Sequence, residues 1–496
     1  MLEEANVLPS LHKKPNIIWV VLDHVTFRHY KMTNGAKPIL NTYERIASKG
    51  VEFTQCRSVH PLCMPARATM LTGMYAHNHG ITRNGKHTDC TYPLFSECLV
   101  EAGYKVGYFG KNHSGFENLA AYGFEGYYPH DYGNPYKTEE YKQYLEKNGL
   151  ANPIYHQEWG IIHKYENGNY DLTESNNFNT YTAGYIKTPG PVHEADFLTS
   201  MALDWMEEQF KEDSPFSVRI DMWGPHHAFQ VPLEYKDSIN EKEIEEYPSF
   251  NDEAENKPPF VQEFLKTIKE SNSIKTWEEW QPIMKRAYEN YSYIDNVVGK
   301  LLDSLEQKGI AENTIIIYTA DHGDALGSHG GMVDKAGDMM EEVMHIPMVI
   351  SWPGVTTGSR SEALVSNLDL VPTVLDMAGI VPPKYMDGKS MVGLLKEDRI
   401  DWREDFMAEH YGHFKVYAPQ RALYYKNYKY IACDGDKHEF YDIKKDPFEL
   451  NDLFQDPSMK DIVNEMKKRL LDYMSRHGDD SEDVKGLRTE IGKMRI

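Results

Sequence analysis

The sequence has 496 residues, and 53 lysines and arginines against 76 aspartates and glutamates give a net charge of −23 with neutral histidines. A protein that binds nucleic acid shows a basic face, so this balance argues against that class. Hydrophobic residues make up 41% of the chain and charged residues 26%, which excludes the composition typical of disordered chains. We therefore expect a large packed core, divided between one large and one smaller domain.

The cysteines and the apolar runs bear on the cellular compartment. Five cysteines, an odd number in a long chain, argue against a full disulfide framework and favour a reducing environment. The first apolar run, over residues 17–22, is too short for a signal peptide, and no stretch has the length of a membrane span. The sequence therefore predicts a cytoplasmic protein with no membrane partner and no nucleic-acid partner.

Four short apolar runs, rich in β-branched residues, change abruptly to polar residues. They are IIWVVL before Asp23, YKVGYF before Gly110, FSVRID before Met222 and TIIIYTA before Asp321. Continuous apolar runs are typical of parallel strands that are buried on both faces. Helical patterns that begin near residues 39, 93 and 295 separate the runs. This alternation predicts a doubly wound α/β sheet, whose ligands bind at the carboxyl ends of the strands.

Two regions depart from this alternation. Residues 115–195 are rich in Tyr, Asn and Gly and have weak strand signals, which predicts an irregular insertion over the carboxyl ends of the strands. From about residue 402 the chain has alternating, aromatic-rich stretches, followed by an amphipathic pattern at 459–476. The second region favours a small antiparallel sheet with a terminal helix.

The most informative motif is LCMPAR at residues 62–67, which continues to LTG at 71–73. Pro65 suits the first turn of a helix, so Cys63 is expected at a helix N-terminus, where backbone N–H groups and the helix dipole favour an anion or a thiolate. Arg67 adds a fixed positive charge one turn further on. The motif resembles the signature of the type I sulfatases, a family of the alkaline phosphatase superfamily in which this cysteine is oxidised to formylglycine.

The resemblance extends in chain order from about residue 15 to residue 456. It implies an alkaline-phosphatase-like sheet sandwiched by helices, with a sulfatase catalytic domain over 14–400 and a C-terminal subdomain over 401–496 that carries the antiparallel sheet and the terminal helix. It also implies a sulfuric ester hydrolase that releases inorganic sulfate from a small or sugar sulfate ester. A formylglycine-generating enzyme would then be the partner during maturation.

The resemblance further implies a divalent metal bound by two pairs of residues. These are Asp23 with His24 and Asp321 with His322, each pair following a predicted strand where the family places its ligands. Ca²⁺ is the cation that the family suggests, with Mg²⁺ or Mn²⁺ as alternatives, and all three prefer oxygen ligands. His24 stands where the family more commonly has Asp or Gln. A nitrogen ligand there favours a transition metal, and the alternative is that His24 only caps the strand end.

The remaining candidate residues match family motifs one by one. Lys111 and His113 match G-K-x-H, and His226 matches P-H. Lys335 matches the lysine that follows the second metal pair, and Asn84 lies where related enzymes contact the anion.

These matches imply a role for each group in sulfate transfer. Formylglycine formed from Cys63 would attack sulfur, and His113 would then remove a proton so that sulfate leaves. His226, together with Lys335, would protonate the departing alcohol. The positive charges that would hold the sulfate oxygens belong to Arg67, Lys111 and Lys335.

Three other functions stay open. A phosphonate monoester or phosphodiester hydrolase of the same superfamily would use the same formylglycine, but such relatives generally lack the pair formed by Lys111 and His113. A non-catalytic glycan-binding homologue would keep Cys63 unmodified. A thiol nucleophile enzyme built on Cys63 would leave both metal-binding aspartates unexplained. Substrate specificity is expected to reside in residues 115–195 and in the loops around His410, Tyr411 and His413.

Overall fold

The computed structural model describes residues 14–32, 35–160, 169–171, 182–271, 274–335, 338–398, 400–413 and 416–493. The strands are β1 (Asn16–Leu22), β2 (Val51–Arg57), β3 (Lys105–Gly110), β4 (Glu125–Tyr127), β5 (Ile154–Gly160), β6 (Asn169–Asp171), β7 (Thr182–Ile186), β8 (Phe216–Asp221), β9 (Phe229–Pro232), β10 (Thr314–Ala320), β11 (Met348–Ser351), β12 (Ser359–Ser366), β13 (Asp405–His410), β14 (Gln420–Tyr425), β15 (Tyr428–Cys433) and β16 (Glu439–Asp442). The helices are α1 (Asn41–Ala47), α2 (Cys63–Thr72), α3 (Ala76–His79), α4 (Phe95–Glu101), α5 (Glu139–Asn148), α6 (Glu194–Lys211), α7 (Pro259–Ser271), α8 (Trp277–Gln307), α9 (Ser328–Gly331), α10 (Glu341–Met344), α11 (Leu370–Met377), α12 (Val392–Leu395), α13 (Lys460–Arg476) and α14 (Glu482–Lys493).

A mixed eight-stranded sheet forms the centre of the large domain, in the order β12-β2-β11-β10-β1-β8-β3-β4. The four apolar runs of the sequence are its neighbouring strands β10, β1, β8 and β3, which pair in parallel. Their side chains are buried on both faces, as the continuous apolar pattern predicts. Strand β11 is antiparallel to both of its neighbours, so the sheet is not purely parallel.

Helices cover both faces of this sheet. Helices α1 and α6 both pack against α8. Helices α2, α4 and α11 pack with one another, and β3 contacts both groups through α4 and α6. Trp19 of β1 stacks on Phe95 of α4, with ring centres 5.2 Å apart. On the other face, a Cβ at Gly107 of β3 would lie 3.0 Å from the ring of Trp205 in α6, so only glycine allows this close approach. The predicted sandwich is therefore confirmed.

The insertion over residues 115–195 is more regular than the sequence suggests. Its described part contains α5 and strands β4, β5, β6 and β7, while residues 161–168 and 172–181 lie outside the described residues. Strands β5, β6 and β7 join β9 from beyond the insertion in a sheet of order β6-β5-β7-β9. The prediction of an irregular segment is therefore wrong for this part. Its strands are short and mix glycine and polar residues with aromatic ones, which weakens the local strand signal.

The C-terminal part contains an antiparallel sheet of order β13-β14-β15-β16, followed by α13 and α14, as expected. The backbone N–H of Glu409 in β13 donates to the carbonyl of Val59, and the Tyr75 hydroxyl donates to the carbonyl of Met407, both at 2.9 Å. The sheet thus packs beside α2. The domain boundary near residue 400 stays a prediction.

The cysteines and the apolar helices bear on the expected cellular compartment. All five cysteines are free thiols. None of the helices in the described part of the chain is long and apolar enough to cross a membrane.

Candidate active site

The structure brings most of the predicted site residues to one edge of the central sheet. Because β1, β3, β8 and β10 are parallel neighbours, their carboxyl ends share that edge. The residues that follow these strands are Asp23, His24, Lys111, His113, His226, Asp321 and His322. All of them are at most 7% exposed.

Helix α2 carries the candidate nucleophile into this edge. The helix begins at Cys63, as the motif predicts, and the preceding Leu62 provides no side-chain cap. Oδ1 of Asn84 instead accepts a hydrogen bond from the Met64 N–H at 3.1 Å. Asn84 therefore supports the first turn of α2, and its contact with a bound anion stays a prediction.

The Cys63 thiol lies among charged groups. Its Sγ is 3.0 Å from Nε2 of His322 and 3.9 Å from Oδ1 of Asp23. Burial disfavours the thiolate, but the positive charges of Lys111 and Lys335 outweigh burial and lower the pKa of Cys63. The surroundings therefore favour negative charge at this position.

Arg67 directs its guanidinium group at three carboxylates. Its Nε donates to Oδ2 of Asp321 at 2.9 Å, and its Nη1 donates to Oδ2 of Asp221 at 2.6 Å. Its Nη2 lies 3.6 Å from Oδ1 of Asp23. All four side chains are fully buried, where such charges are tolerated only when paired. Arg67 thus fixes the carboxylates at the ends of three strands, whereas the sequence interpretation assigns it to the sulfate oxygens.

Two buried lysines add positive charge beside Cys63. Nζ of Lys111 forms an ion pair with Asp23 and lies 4.3 Å from the ring centre of Tyr132. Nζ of Lys335 is 2.5 Å from Oδ1 of Asp334. Burial opposes the charged form of Lys335, but Asp334 outweighs it and raises the pKa of Lys335. Ammonium groups in such a water-poor site attract an anion more strongly than they would in water.

The tautomer of His24 is fixed by its two partners. Nε2 is 2.5 Å from Nζ of Lys335, which can only donate, and Nδ1 is 2.9 Å from Oδ2 of Asp324. Burial lowers the pKa of His24 well below its ordinary value, so the ring is neutral. The proton therefore lies on Nδ1 and the lone pair on Nε2. A carboxylate on the opposite nitrogen is typical of histidines that bind metals.

Three of the four predicted metal ligands, Asp23, His24 and His322, lie close enough together to bind a divalent cation, and Asp321 lies beside them. Ligand atoms of Asp23, His24, Cys63 and His322 all lie within 4.8 Å of one another. Oδ2 of Asp321 is 3.7 Å from Nε2 of His322. Two carboxylates offer the hard oxygen ligands that Ca²⁺, Mg²⁺ and Mn²⁺ prefer, while two imidazoles shift the preference towards transition metals.

His226 is held by the backbone of its own loop. Its Nδ1 is 2.5 Å from the carbonyl oxygen of His227, which can only accept, so Nδ1 carries a proton. Its ring packs on His24 with centres 3.9 Å apart. Burial lowers the pKa of His226 well below its ordinary value. Nε2 is therefore the nitrogen that can exchange a proton with a substrate.

His113 is a buried histidine in an uncommon backbone conformation, with φ at 32°. Its Nε2 is 3.7 Å from Oδ1 of Asp131, and its ring centre is 5.4 Å from that of Tyr132. Within the described residues, Nδ1 of His113 has no hydrogen-bond partner. Burial lowers the pKa of His113 well below its ordinary value, so a neutral ring is available as a base.

Several residues that contact the site are absent from the sequence prediction. They are Tyr132, Asp221, Asp324 and Asp334. Asp221 ends a predicted strand, and ligands are expected at the carboxyl ends of the strands, so the sequence does contain a signal for Asp221. Asp334 immediately precedes the candidate Lys335, which is a signal for Asp334. Tyr132 lies in the insertion, where no motif marks it. Among the residues predicted to set specificity, His413 approaches the site, with Nε2 3.7 Å from Oδ2 of Asp334.

Comparison with known proteins identifies the family. The Sulfatase family model matches residues 15–380, and the model of the C-terminal region of N-sulphoglucosamine sulphohydrolase matches residues 327–476. The N-acetylglucosamine-6-O-sulfatase of Bacteroides thetaiotaomicron is 27% identical over 512 residues, which cover 97% of this chain and 90% of the relative.

Solved structures confirm the fold. A protein in complex with its substrate D-glucosamine-2-N,6-O-disulfate has a TM-score of 0.73 and 23% identity, covering 95% of this chain and 100% of that one. The phosphonate monoester hydrolase of Agrobacterium radiobacter has a TM-score of 0.78 and 22% identity, covering 93% of this chain and 96% of that one. The family model spans well over half of the chain. The chain therefore belongs to the type I sulfatase family of the alkaline phosphatase superfamily and is a sulfuric ester hydrolase.

Proposed function

We propose that this sulfatase releases inorganic sulfate from a sugar sulfate ester, using formylglycine made from Cys63 and a divalent metal. The observation that carries the proposal is the position of the thiol. Cys63 begins α2, and its Sγ lies 3.0 Å from His322 and 3.9 Å from Asp23. A cysteine used only for packing does not need buried charges of both signs around its sulfur. Cys63 would reach its active form through a formylglycine-generating enzyme, which we propose as the maturation partner.

Formylglycine and the cation would supply the nucleophile and charge stabilisation. Hydrated formylglycine supplies two hydroxyl groups on one carbon, and a divalent cation supplies Lewis-acid stabilisation and lowers the pKa of a hydroxyl group. The residues that would hold the cation are Asp23, His24, Asp321 and His322.

Two lysines and an arginine provide the positive charge of the site. Lys111 and Lys335 bind the sulfate oxygens and offset the negative charge that builds up in the transition state. Arg67 keeps the carboxylates of Asp23 and Asp321 in place, so that they need no reorganisation during the reaction.

Two histidines transfer protons in two successive steps of the reaction. His226 donates a proton from Nε2 to the departing alcohol, because the carbonyl of His227 already binds Nδ1. Because burial keeps the ring neutral at rest, Nε2 would first take up the proton that the attacking hydroxyl group loses and would then pass it to the departing alcohol, which the low pKa of His226 favours. The neutral ring of His113 would accept a proton from the second hydroxyl group of hydrated formylglycine, so that sulfate would leave.

The substrate class rests on two named relatives and on the side chains at the site. One relative is an N-acetylglucosamine-6-O-sulfatase, and one structural neighbour holds a glucosamine disulfate as its substrate. Beside the site, Tyr132 offers an aromatic ring and His413 a polar group, which suit the face and the hydroxyl groups of a sugar. A sugar sulfate is therefore the substrate that we propose to test first.

Phosphonate monoester hydrolysis is the second candidate. The fold of the Agrobacterium radiobacter enzyme matches this chain with a TM-score of 0.78. The pair formed by Lys111 and His113 favours sulfate, because both side chains are buried at the site and match the G-K-x-H motif of the sulfatases.

A rate comparison tests the proposal. Protein matured with a formylglycine-generating enzyme is assayed with N-acetylglucosamine-6-sulfate, 4-nitrophenyl sulfate and a 4-nitrophenyl phosphonate ester. We expect sulfate release from the sugar and kcat/KM for the aryl sulfate at least about tenfold above that for the phosphonate. Cys63→Ala, prepared in the same way, serves as the matched inactive control. Faster phosphonate hydrolysis, with no sulfate released from the sugar, would establish the second candidate instead.

A further inference from the structure

A buried carboxylate outside the site holds the loop that carries His226. Glu194 is the first residue of α6 and is 2% exposed. Its Oε1 accepts a hydrogen bond from the N–H of Gly224 at 2.8 Å. A Cβ at Gly224 would lie 2.4 Å from Cδ1 of Ile294 and 3.2 Å from Oε1 of Glu194, so the backbone is packed tightly against this carboxylate. Glu194 therefore fixes the start of the loop.

The same loop borders a small polar cavity of about 20 Å³, lined by Glu194, His226, Gln230 and Asn290 among others. In the described part of the chain, Oε2 of Glu194, both amide atoms of Gln230 and Oδ1 of Asn290 have no hydrogen-bond partner. These three side chains belong to residues that are at most 4% exposed. Buried polar atoms without partners are rare and costly, and a cavity of this size accommodates one water molecule with several polar partners.

We infer that Glu194, together with one buried water shared with Gln230 and Asn290, is a positioning residue for His226. The inference rests on the proposed role of His226 as the acid that protonates the leaving alcohol. Glu194 acts through the backbone: it fixes the N–H of Gly224, and the loop then places the carbonyl of His227 2.5 Å from Nδ1 of His226. That contact keeps a proton on Nδ1 and leaves Nε2 for the substrate.

The expected signature follows from the chemistry of the leaving group. A sugar alkoxide is a poor leaving group, so cleavage of a sugar sulfate depends on a proton from His226. The 4-nitrophenolate ion leaves without that proton. Misplacement of His226 therefore slows the sugar sulfate selectively, whereas general damage to the site slows both substrates.

The experiment compares Glu194→Ala and Glu194→Gln with wild type on both substrates. We expect kcat for N-acetylglucosamine-6-sulfate to fall about 100-fold in Glu194→Ala, and kcat for 4-nitrophenyl sulfate to fall by less than about fivefold. Glu194→Gln retains an acceptor for Gly224 and should recover much of the loss. Asp196→Asn is the matched control, because Asp196 is a buried carboxylate of the same helix that contacts Tyr293 and Lys300. It should change the two rates equally and by only a few-fold.

Equal losses on both substrates in Glu194→Ala would overturn the inference. Crystal structures of wild type and Glu194→Ala provide a readout that needs no activity. We expect one water within hydrogen-bond distance of Glu194, Gln230 and Asn290 in the wild type, and a displaced His227 carbonyl in the variant. A dry cavity, or an unmoved carbonyl, would contradict the inference. If wild type hydrolyses neither ester, the proposed function fails, and these structures still decide whether Glu194 positions His226.

Discussion

Lys335 donates a hydrogen bond to His24, with Nζ 2.5 Å from Nε2 of the ring. The nitrogen that receives this bond is the one that a metal would need, and the lysine is the one that we assign to the sulfate. Metal binding by His24 and sulfate binding by Lys335 therefore both involve the lone pair on Nε2 of His24. Metal binding at Nε2 therefore requires that the ammonium group turns to another acceptor.

Substitution of Lys335 should separate anion binding from metal binding. In Lys335→Ala we expect kcat/KM for the sulfate ester to fall by ~100-fold to 1,000-fold, because a charge that stabilises the transition state is lost. Metal content, measured by elemental analysis after dialysis, should be unchanged or higher, since the competing donor at His24 is gone. Lys445→Ala, at an exposed lysine, is the control. Loss of metal in Lys335→Ala would contradict this account.

Replacement of His24 should change which metal supports activity. An oxygen ligand in His24→Asp makes the ligand set harder, so we expect Ca²⁺ to restore the chelated variant better than Mn²⁺ does. Wild type, with imidazoles at His24 and His322, should respond relatively better to Mn²⁺. The measurement is the ratio of rates restored by the two ions after chelation. An identical ratio in both proteins would show that His24 is not a ligand.

Arg67 should be important for stability as well as for activity. Its removal leaves buried carboxylates at Asp23, Asp221 and Asp321 without a shared partner. We expect Arg67→Ala to lower the free energy of unfolding by ~3–5 kcal/mol, measured by urea denaturation in the presence of a chelator. Arg67→Lys keeps the charge but loses the fork of donors, so it should recover only part of the loss. A change below about 1 kcal/mol in Arg67→Ala would refute this role.

An ion pair between His77 and Glu409 should make stability depend on pH. Nδ1 of His77 is 2.6 Å from Oε1 of Glu409, and Nε2 is 2.9 Å from the carbonyl of His477. Burial opposes the charged ring, but Glu409 outweighs it and raises the pKa of His77 from 6.5 to about 9.

Because the folded pKa lies above the unfolded one, the contribution of His77 is complete below about pH 6.5 and is lost as the pH rises through about 9. Relative to His77→Gln, wild type should lose at most ~3 kcal/mol of stability across that window. Urea denaturation of both proteins at several pH values tests this. A difference that does not change with pH would refute the ion pair.

The four central strands and the position of Cys63 could be predicted from the sequence, because short sequence patterns determine the local structure at these positions. Continuous apolar runs mark the four central strands, and Pro65 places Cys63 at the start of α2. The acidic stretch over residues 236–290 predicts a solvated helical surface, and α8 does begin within it, at Trp277, but Trp277 and Trp280 in its first turns are buried.

What the sequence could not predict depends on contacts between distant residues. Arg67 contacts carboxylates from three strands, and Asn84 contacts the backbone at Met64, neither of which a motif specifies. The sheet in the insertion needs β9 from outside it. The roles of the site residues, the domain boundary and the cytoplasmic location stay predictions.

Mass spectrometry of the tryptic peptide over residues 58–67 tests the central claim most directly. The protein is produced together with a formylglycine-generating enzyme, and the peptide that contains Cys433 serves as an internal control for an unmodified thiol. The account predicts that the first peptide has its mass lowered by the difference between a CH₂SH and a CHO side chain, while the control peptide is unchanged. An unmodified Cys63, in a preparation where the enzyme converts another sulfatase, would contradict the account and favour a glycan-binding function.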